Sequence, residues 1–391
     1  MLLLILTLFG CDQSGDRAGP QSASTAGASF APMAAQATAA VGSFAIQPQF
    51  DNAFSFSEGL AAVRIGDQVE GKWGFIDKRG QIVVNPQFDF ASEFAEGLAA
   101  VRIGHRWSDT WGYIDKQGRI AINPQFSEAD SFSEGLAEVQ IGRVKFDRSG
   151  GTVSTPRSGY IDKQGKMIIN PQFYPASRFR DGLAAVGSEV VGTRKVKYID
   201  KQGKIVLDSP FDHGFGFNEG LAAVLVGDFF TGKWGCIDKH GKLVVNPQFD
   251  YLGTFSEELA PVRIGGEKTG KWGFVDKEGK MVINLQFDYA LSFSEGLAAV
   301  RFGDYETGRY GFIDRQGRMV INPQFDHADS FSEGLAAVHI GDYETGKSGF
   351  IDKQGRMVIN PQFDNAYSFS EGLAAVRIGD SKTGRWGYIN R

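Results

Sequence analysis

The chain has 391 residues, 42% apolar and 22% charged, a globular composition and not a disordered one. Its 41 Lys and Arg against 46 Asp and Glu give a net charge of −5, without the basic footprint of a nucleic-acid binder, so no nucleic-acid partner is expected. Two Cys and five scattered His exclude a disulfide scaffold and leave little for metal or acid–base chemistry.

The first ten residues, Met1 to Gly10, are almost wholly apolar. Such a run is too short to span a bilayer, which takes about 20 helical residues. It reads as the apolar part of a secretory signal over 1–10. Leu8-Phe9-Gly10-Cys11 is similar to a bacterial lipobox, which implies cleavage before Cys11 and lipid attachment to its sulfur. No Lys or Arg precedes Cys11, a departure from that pattern. Residues 11–42, rich in Ala, Ser, Gly and Thr, read as a flexible tether with a reach of about 30 Å. The expected location is therefore exported, on the cell membrane or outer membrane as a lipoprotein.

From residue 43 onward the chain repeats itself. The tryptophan of Lys72-Trp73-Gly74-Phe75-Ile76-Asp77 recurs at Trp111, Ser158, Val196, Trp234, Trp272, Tyr310, Ser348 and Trp386. Successive positions are 38 residues apart, except for one interval of 47 between Trp111 and Ser158. The array thus holds nine units of about 38 residues, with an insertion in the third at about 143–157. Each unit shows three runs rich in β-branched and aromatic residues, separated by Gly-bearing turns, and predicts three antiparallel strands. Asp-Lys-Gln-Gly segments such as Asp162 to Gly165 have the composition of type I turns. Two Phe positions, for example Phe325 and Phe331, recur in every copy and are expected to plug the space between neighbouring sheets.

One such unit is too small to stand alone, so neighbours must stack. Phe44-Ala-Ile-Gln47 matches a third strand without its first two, and the last copy stops before its third. Together the ends complete one unit. The fold class is all-β, either a closed propeller-like ring with hidden edges or an open β-superhelix.

The Trp-Gly-Phe/Tyr-Ile-Asp-Lys, Asn-Pro-Gln-Phe-Asp and Phe-Ser-Glu-Gly-Leu-Ala-Ala-Val motifs resemble the bacterial WG-repeat (KWG-repeat) family. The resemblance covers about 44–391. It implies a secreted or surface-attached repeat protein that mediates binding, and it carries over no catalytic residue. The chain departs from the motif at Ser158, Val196, Lys197 and Ser348.

The acid of Phe-Ser-Glu-Gly recurs from Glu58 to Glu371, with Asp181 in the fourth unit. Catalysis needs a unique constellation and not a ninefold one, so turn-stabilising or salt-bridging duty is expected. A basic stripe at Arg64, Arg102, Arg263, Arg301 and Arg377 is read as pairing with that acid. Cys236 stands at a core position and reads as a buried thiol. No single unit shows a cluster of carboxylates of the kind an enzyme would need. No catalytic residue, cofactor or metal site is therefore expected.

The loops joining the first and second strands diverge most between copies. They carry Trp107, Phe146, Phe229, Phe230, Tyr305 and Tyr343, candidates for stacking on a sugar or anchoring a protein. The expected function is a non-catalytic scaffold at the cell envelope, held by Cys11 and binding an envelope protein or glycan. The rivals are a glycan-processing enzyme with its site on the concave face, and a purely structural envelope spacer.

Overall fold

The computed structural model describes residues 42–104, 110–142, 145–146, 152–187, 195–342 and 344–391. Cys11, with the proposed signal and tether, lies outside them, as do Trp107 and Tyr343. Every regular element among the described residues is a β-strand.

Blade 1 shows the plan. Leu60–Ile65, Lys72–Asp77 and Ile82–Phe88 are the three expected strands, paired antiparallel in that order. A fourth strand of two residues, Asn52–Ala53, joins the free edge of the first. The plan repeats through residues 90–126, 128–173, 184–208, 213–249, 251–287, 289–325 and 327–363. In blade 3 a small hairpin of Lys145–Phe146 and Thr152–Ser154 occupies the insertion. Blade 4 has only three strands.

The ninth sheet settles ring against superhelix. Phe44–Phe50 pairs antiparallel with Arg385–Asn390, placing Ile46 opposite Tyr388 and Phe50 opposite Trp386. The N-terminal strand thus completes the C-terminal blade, and the nine sheets close into a nine-bladed propeller. Glu93 of blade 2 feels the Arg178 guanidinium of blade 4, although those blades are not adjacent. Tyr388 of blade 9 likewise feels Glu93. The segments that carry Glu93 and Arg178, just ahead of the first long strands of blades 2 and 4, therefore lie on the inner side of the ring.

The apolar core lies between blades. Leu297, Ala299, Phe312, Ile321 and Phe325 of blade 7 pack on Ala328, Phe331, Ala336, Val338 and Ile351 of blade 8. Phe325 and Phe331 meet there as the seam plug expected of them, and the other blades pack in the same way.

The glycine of the Trp-Gly pair has a steric cause. Opposite Gly273 the outer strand bulges, so that Trp272 pairs with Phe287 but Phe274 pairs with Ile283. A Cβ on Gly273 would sit 2.4 Å from the Ile283 carbonyl oxygen. Only a residue without Cβ tolerates that approach. Blade 4 carries the complementary exception: Lys197 replaces the glycine, and Asp208-Ser209-Pro210 replaces Asn-Pro-Gln. There the outer strand pairs without the bulge at that point, Lys197 facing Asp208, and their side chains form an ion pair of 3.0 Å.

Two sets of carboxylates clamp the seams, one at each end of the ring. The Phe-Ser-Glu-Gly acid adopts a left-handed backbone, φ 54° at Glu58. Its carboxylate accepts from the Gly97 amide of the next blade at 2.9 Å and from Lys116 at 3.1 Å. Glu371 of blade 9 closes the circle on Gly59 and Lys78 of blade 1. Partial burial works against ionisation of Glu371, but Lys78 and the Gly59 amide outweigh it and hold its pKa down. At the other end, Asp89 accepts from Lys72 of blade 1 at 2.6 Å and from the Gly104 amide of blade 2 at 2.9 Å. Arg385 and the Gly66 amide hold Asp51 in the same way across the closing seam.

These contacts set a direct test of the bulge. Gly273→Ala is expected to cost about 3 kcal/mol or more, because main chain must move to admit the methyl. Lys197→Gly, in the blade without the bulge, is expected to cost no more than about 1 kcal/mol. Urea denaturation of both variants checks this, and equal midpoints would remove the steric reading.

Candidate functional site

Antiparallel pairing puts the variable loops and the Asp links between blades at the same end of the ring. There the register lines up one residue from each strand: Tyr289, Arg301, Tyr310 and Phe325 in blade 7. The Arg301 guanidinium lies 5.6 Å from the Tyr289 ring, 5.7 Å from Tyr305 and 5.8 Å from Tyr310. Arg263 and Arg377 lie 5.7 and 5.8 Å from the rings of Trp272 and Trp386. The arginine stripe is thus structural, but its partner was misjudged. The recurring Glu sits at the opposite end of the ring on Lys and backbone amides, and Arg102, Arg263, Arg301 and Arg377 pack on the motif aromatic by cation–π attraction. Two-residue alternation gave the face of the strand correctly, whereas only the register shows what stands opposite.

Ring contacts link blade to blade at this end. Tyr251 lies 5.0 Å from Trp272, Trp272 5.2 Å from Tyr289, Tyr289 6.4 Å from Tyr310, and Tyr310 5.4 Å from His327. In blade 5, Phe215 stacks on Trp234 at 4.9 Å, and Phe229 lies 6.1 Å from His213. Phe229 is 51% exposed, Phe230 88% and Tyr305 87%. The structure therefore places three of the expected aromatics at exposed tips of blades 5 and 7. The backbone of Phe146 lies in the inserted hairpin of blade 3, on a different sector.

Sequence reasoning missed Phe215, Tyr251, Tyr289 and His327. All but Phe215 open the two-residue strand, a position that also holds Asn52, Phe90, Glu128 and Asn365. That variability inside a repeated Phe-Asp-x-Ala frame was the available signal.

A second departure from the repeat lies at the seam of blades 3 and 4. The first long strand of blade 3 reads Leu136-Ala137-Glu138-Val139, with Glu138 where most units have Ala. Glu138 is 8% exposed, opposite Tyr160, and Ser158 beside it is wholly buried. Burial pushes the Glu138 carboxyl up to about 7. Ser158 and Gln140 oppose the rise, while the charges of Asp130 and Glu128 add to it. Asp130 itself is held by a two-pronged contact from Arg178 of blade 4. Asp130 stands across the strand pairing from Glu138, its amide donating to the Glu138 carbonyl at 2.9 Å, while Glu128 is exposed at the edge of the sheet. The odd residue is a single Glu in an otherwise regular strand.

Cys236 is buried, and burial pushes its thiol up to about 12, the environment of an inert core cysteine. Among the described residues, no group of three or more His, Cys, Asp or Glu is placed to hold a metal ion. No helix among them is long and apolar enough to cross a membrane.

Nine small sheets around one axis define a β-propeller. Nine matches to the WG containing repeat run from 41–68 to 349–381 and cover most of the chain, which belongs to that family. No curated protein matches the chain. Among solved structures, a eukaryotic initiation factor is similar with a TM-score of 0.57 at 11% identity, over 87% of this chain and 91% of that one. At that identity the likeness is one of fold. Prolyl oligopeptidase B from Galerina marginata has a TM-score of 0.44 at 12% identity, over 84% of this chain and 55% of the enzyme. An acylaminoacyl peptidase from Pyrococcus horikoshii has 0.40 at 10%, over 84% and 57%. These two likenesses say nothing of what the present chain does.

Glu138 makes stability depend on pH in a stated direction. Its folded-state pKa lies above the ordinary carboxylate value of 4.5, so folding favours the protonated form. Its contribution is full below 4.5 and is lost as pH rises toward and past 7, at most about 3 kcal/mol. The clamp carboxylates whose pKa is lowered stay ionised through that window. The melting temperature should fall between about pH 5 and about pH 8, and Glu138→Gln should flatten the slope. An unchanged slope in the variant would show that Glu138 titrates normally.

Proposed function

We propose that this WG-repeat propeller is a non-catalytic binding scaffold whose working surface is the loop end of blades 5 to 8. The observation that supports this reading is the sector of open aromatics, Phe229, Phe230 and Tyr305, backed by Phe215, Tyr251 and Tyr289. A repeated frame holds the inner rings rigid, so little ordering entropy is lost when a flat partner stacks on them. Aromatic faces of this kind suit the apolar face of a sugar ring or an anchor from a protein. We place the scaffold at the cell envelope through a lipid on Cys11, on the strength of the lipobox-like Leu8 to Cys11. The enzyme reading has Glu138 to draw on but loses on access: Glu138 is buried, and Asp130 is tied to Arg178.

Replacing Phe229, Phe230 and Tyr305 together by Ser removes only exposed rings, so the melting temperature should hold. Binding to an envelope-glycan array, or crosslinking to an envelope protein, should drop at least tenfold, about 1.4 kcal/mol. Full binding by the variant on both readouts would discard this surface. Separately, Cys11→Ala is expected to move the protein from the membrane fraction to the soluble one. Unchanged fractionation would reject the lipid anchor.

A further inference from the structure

The residue that opens the two-residue strand faces the arginine position of the first long strand. Among the described residues, only blades 6 and 7 set a tyrosine there against an arginine: Tyr251 faces Arg263, and Tyr289 faces Arg301. The flanking blades 5 and 8 hold His213 against Leu225 and His327 against His339. The two Tyr–Arg pairs belong to one surface, because Trp272 lies 5.0 Å from Tyr251 and 5.2 Å from Tyr289. Tyr305, from the loop of blade 7, adds an open ring 5.7 Å from Arg301.

Both guanidinia rest on rings, and neither has an ion pair among the described residues. Both arginines are half-buried; each Nε is enclosed and unpartnered, and the enclosure stops short of the terminal nitrogens. The Tyr310 hydroxyl takes one donor of Arg301 at most and leaves the rest of the fork. The nearby carboxylates are already committed. Asp250 accepts from Lys233 at 2.7 Å and from the Gly265 amide at 2.9 Å. Asp288 accepts from Lys271 at 2.6 Å and from the Gly303 amide at 2.9 Å. Asp304 turns into its own loop, accepting from the Thr307 amide at 2.7 Å and the Glu306 amide at 2.9 Å. The arginines reach these acids only through the long-range field. Two uncommitted cations therefore stand one blade apart, each beside a tyrosine.

We propose that the pairs Tyr251–Arg263 and Tyr289–Arg301 bind an acidic glycan, a chain of sugars that bear carboxylates, an inference that rests on the loop-end binding surface of blades 5 to 8. In each pair the arginine meets a carboxylate through its terminal N–H groups, a planar match that a two-pronged contact strengthens. The tyrosine offers an apolar face to the C–H side of the sugar and a hydroxyl to its hydroxyls, and Tyr305 adds a second face from the loop. A sugar acid suits this arrangement better than an acidic peptide, whose carboxylates ride on flexible stems and bring no flat face to the rings. The two pairs engage two units of one chain, so an oligomer binds more tightly than a single sugar acid.

The test uses the full chain and calorimetric titration with hexagalacturonate, its neutral methyl ester, galacturonic acid and hexaglutamate. Saturable binding of hexagalacturonate is expected, at least tenfold tighter than that of the ester or the single sugar acid. Added salt should weaken it, because the contacts lie at the surface. Arg263→Gln with Arg301→Gln should weaken hexagalacturonate at least tenfold and leave the ester as it was. Arg64→Gln, which removes the equivalent strand arginine from blade 1, should leave binding unchanged. Should the double Gln variant melt early, Arg263→Lys with Arg301→Lys keeps the charge and the stem, loses the two-pronged fork, and should still bind more weakly. No binding of hexagalacturonate, equal affinity for its ester, full binding by either folded variant, or hexaglutamate bound as tightly as the glycan overturns the proposal. Failure of the surface itself is read separately: the variant lacking Phe229, Phe230 and Tyr305 then keeps full binding on the glycan array, whereas failure of the acidic-glycan reading alone leaves that variant's loss intact.

Discussion

Each blade is a sheet of three or four short strands with two apolar faces, and neither face is covered from within its own blade. Every apolar cluster of the core joins residues of two consecutive blades, including the one that unites Ile46, Phe50 and Trp386 of blade 9 with Phe56 and Val63 of blade 1. The conserved pair of Phe positions supplies much of each seam, at roughly 1.5–3 kcal/mol for each buried ring. Stability therefore belongs to contacts between units. A ring satisfies that requirement for every unit at once, whereas an open stack would leave two faces bare.

Polar clamps fix how the apolar faces meet. The left-handed backbone at Glu58 and its equivalents turns the carboxylate toward the next blade, where an amide and a lysine receive it. The Asp that links consecutive blades does the same at the opposite end. The closing seam carries both clamps, so the junction of the chain ends is built like the others. The seam of blades 3 and 4 is the one that differs most. Tyr174 stands where Asp would link the blades, and Ser158 and Glu138 replace the aromatic and the Ala.

On the proposed reading, function falls to departures from the repeat. A residue present nine times is shaped by packing, and the uniform Glu and Asp positions prove to be clamps and turns. Residues that vary within a fixed frame are spared that duty. They gather in two places, an aromatic sector on blades 5 to 8 and the seam of blades 3 and 4 around Glu138. The first is open, the second buried.

The sequence by itself determined the repeat and its phase, the three long strands, the turns, the Phe plugs and the structural role of the recurring acid. These follow from period, alternation and turn chemistry, which act over a few residues. The tertiary structure alone decided the rest. Ring closure depends on the angle between stacked sheets, which no local pattern records, and Phe44–Phe50 satisfies either architecture until it is seen on Arg385–Asn390. The two-residue strand is too short to show a period. The arginines' aromatic partners come from register, and the state of Glu138 comes from burial in a seam whose other walls are supplied by Ser158 and a neighbouring blade. Burial is a property of the space between units, and that space exists only once the ring has closed.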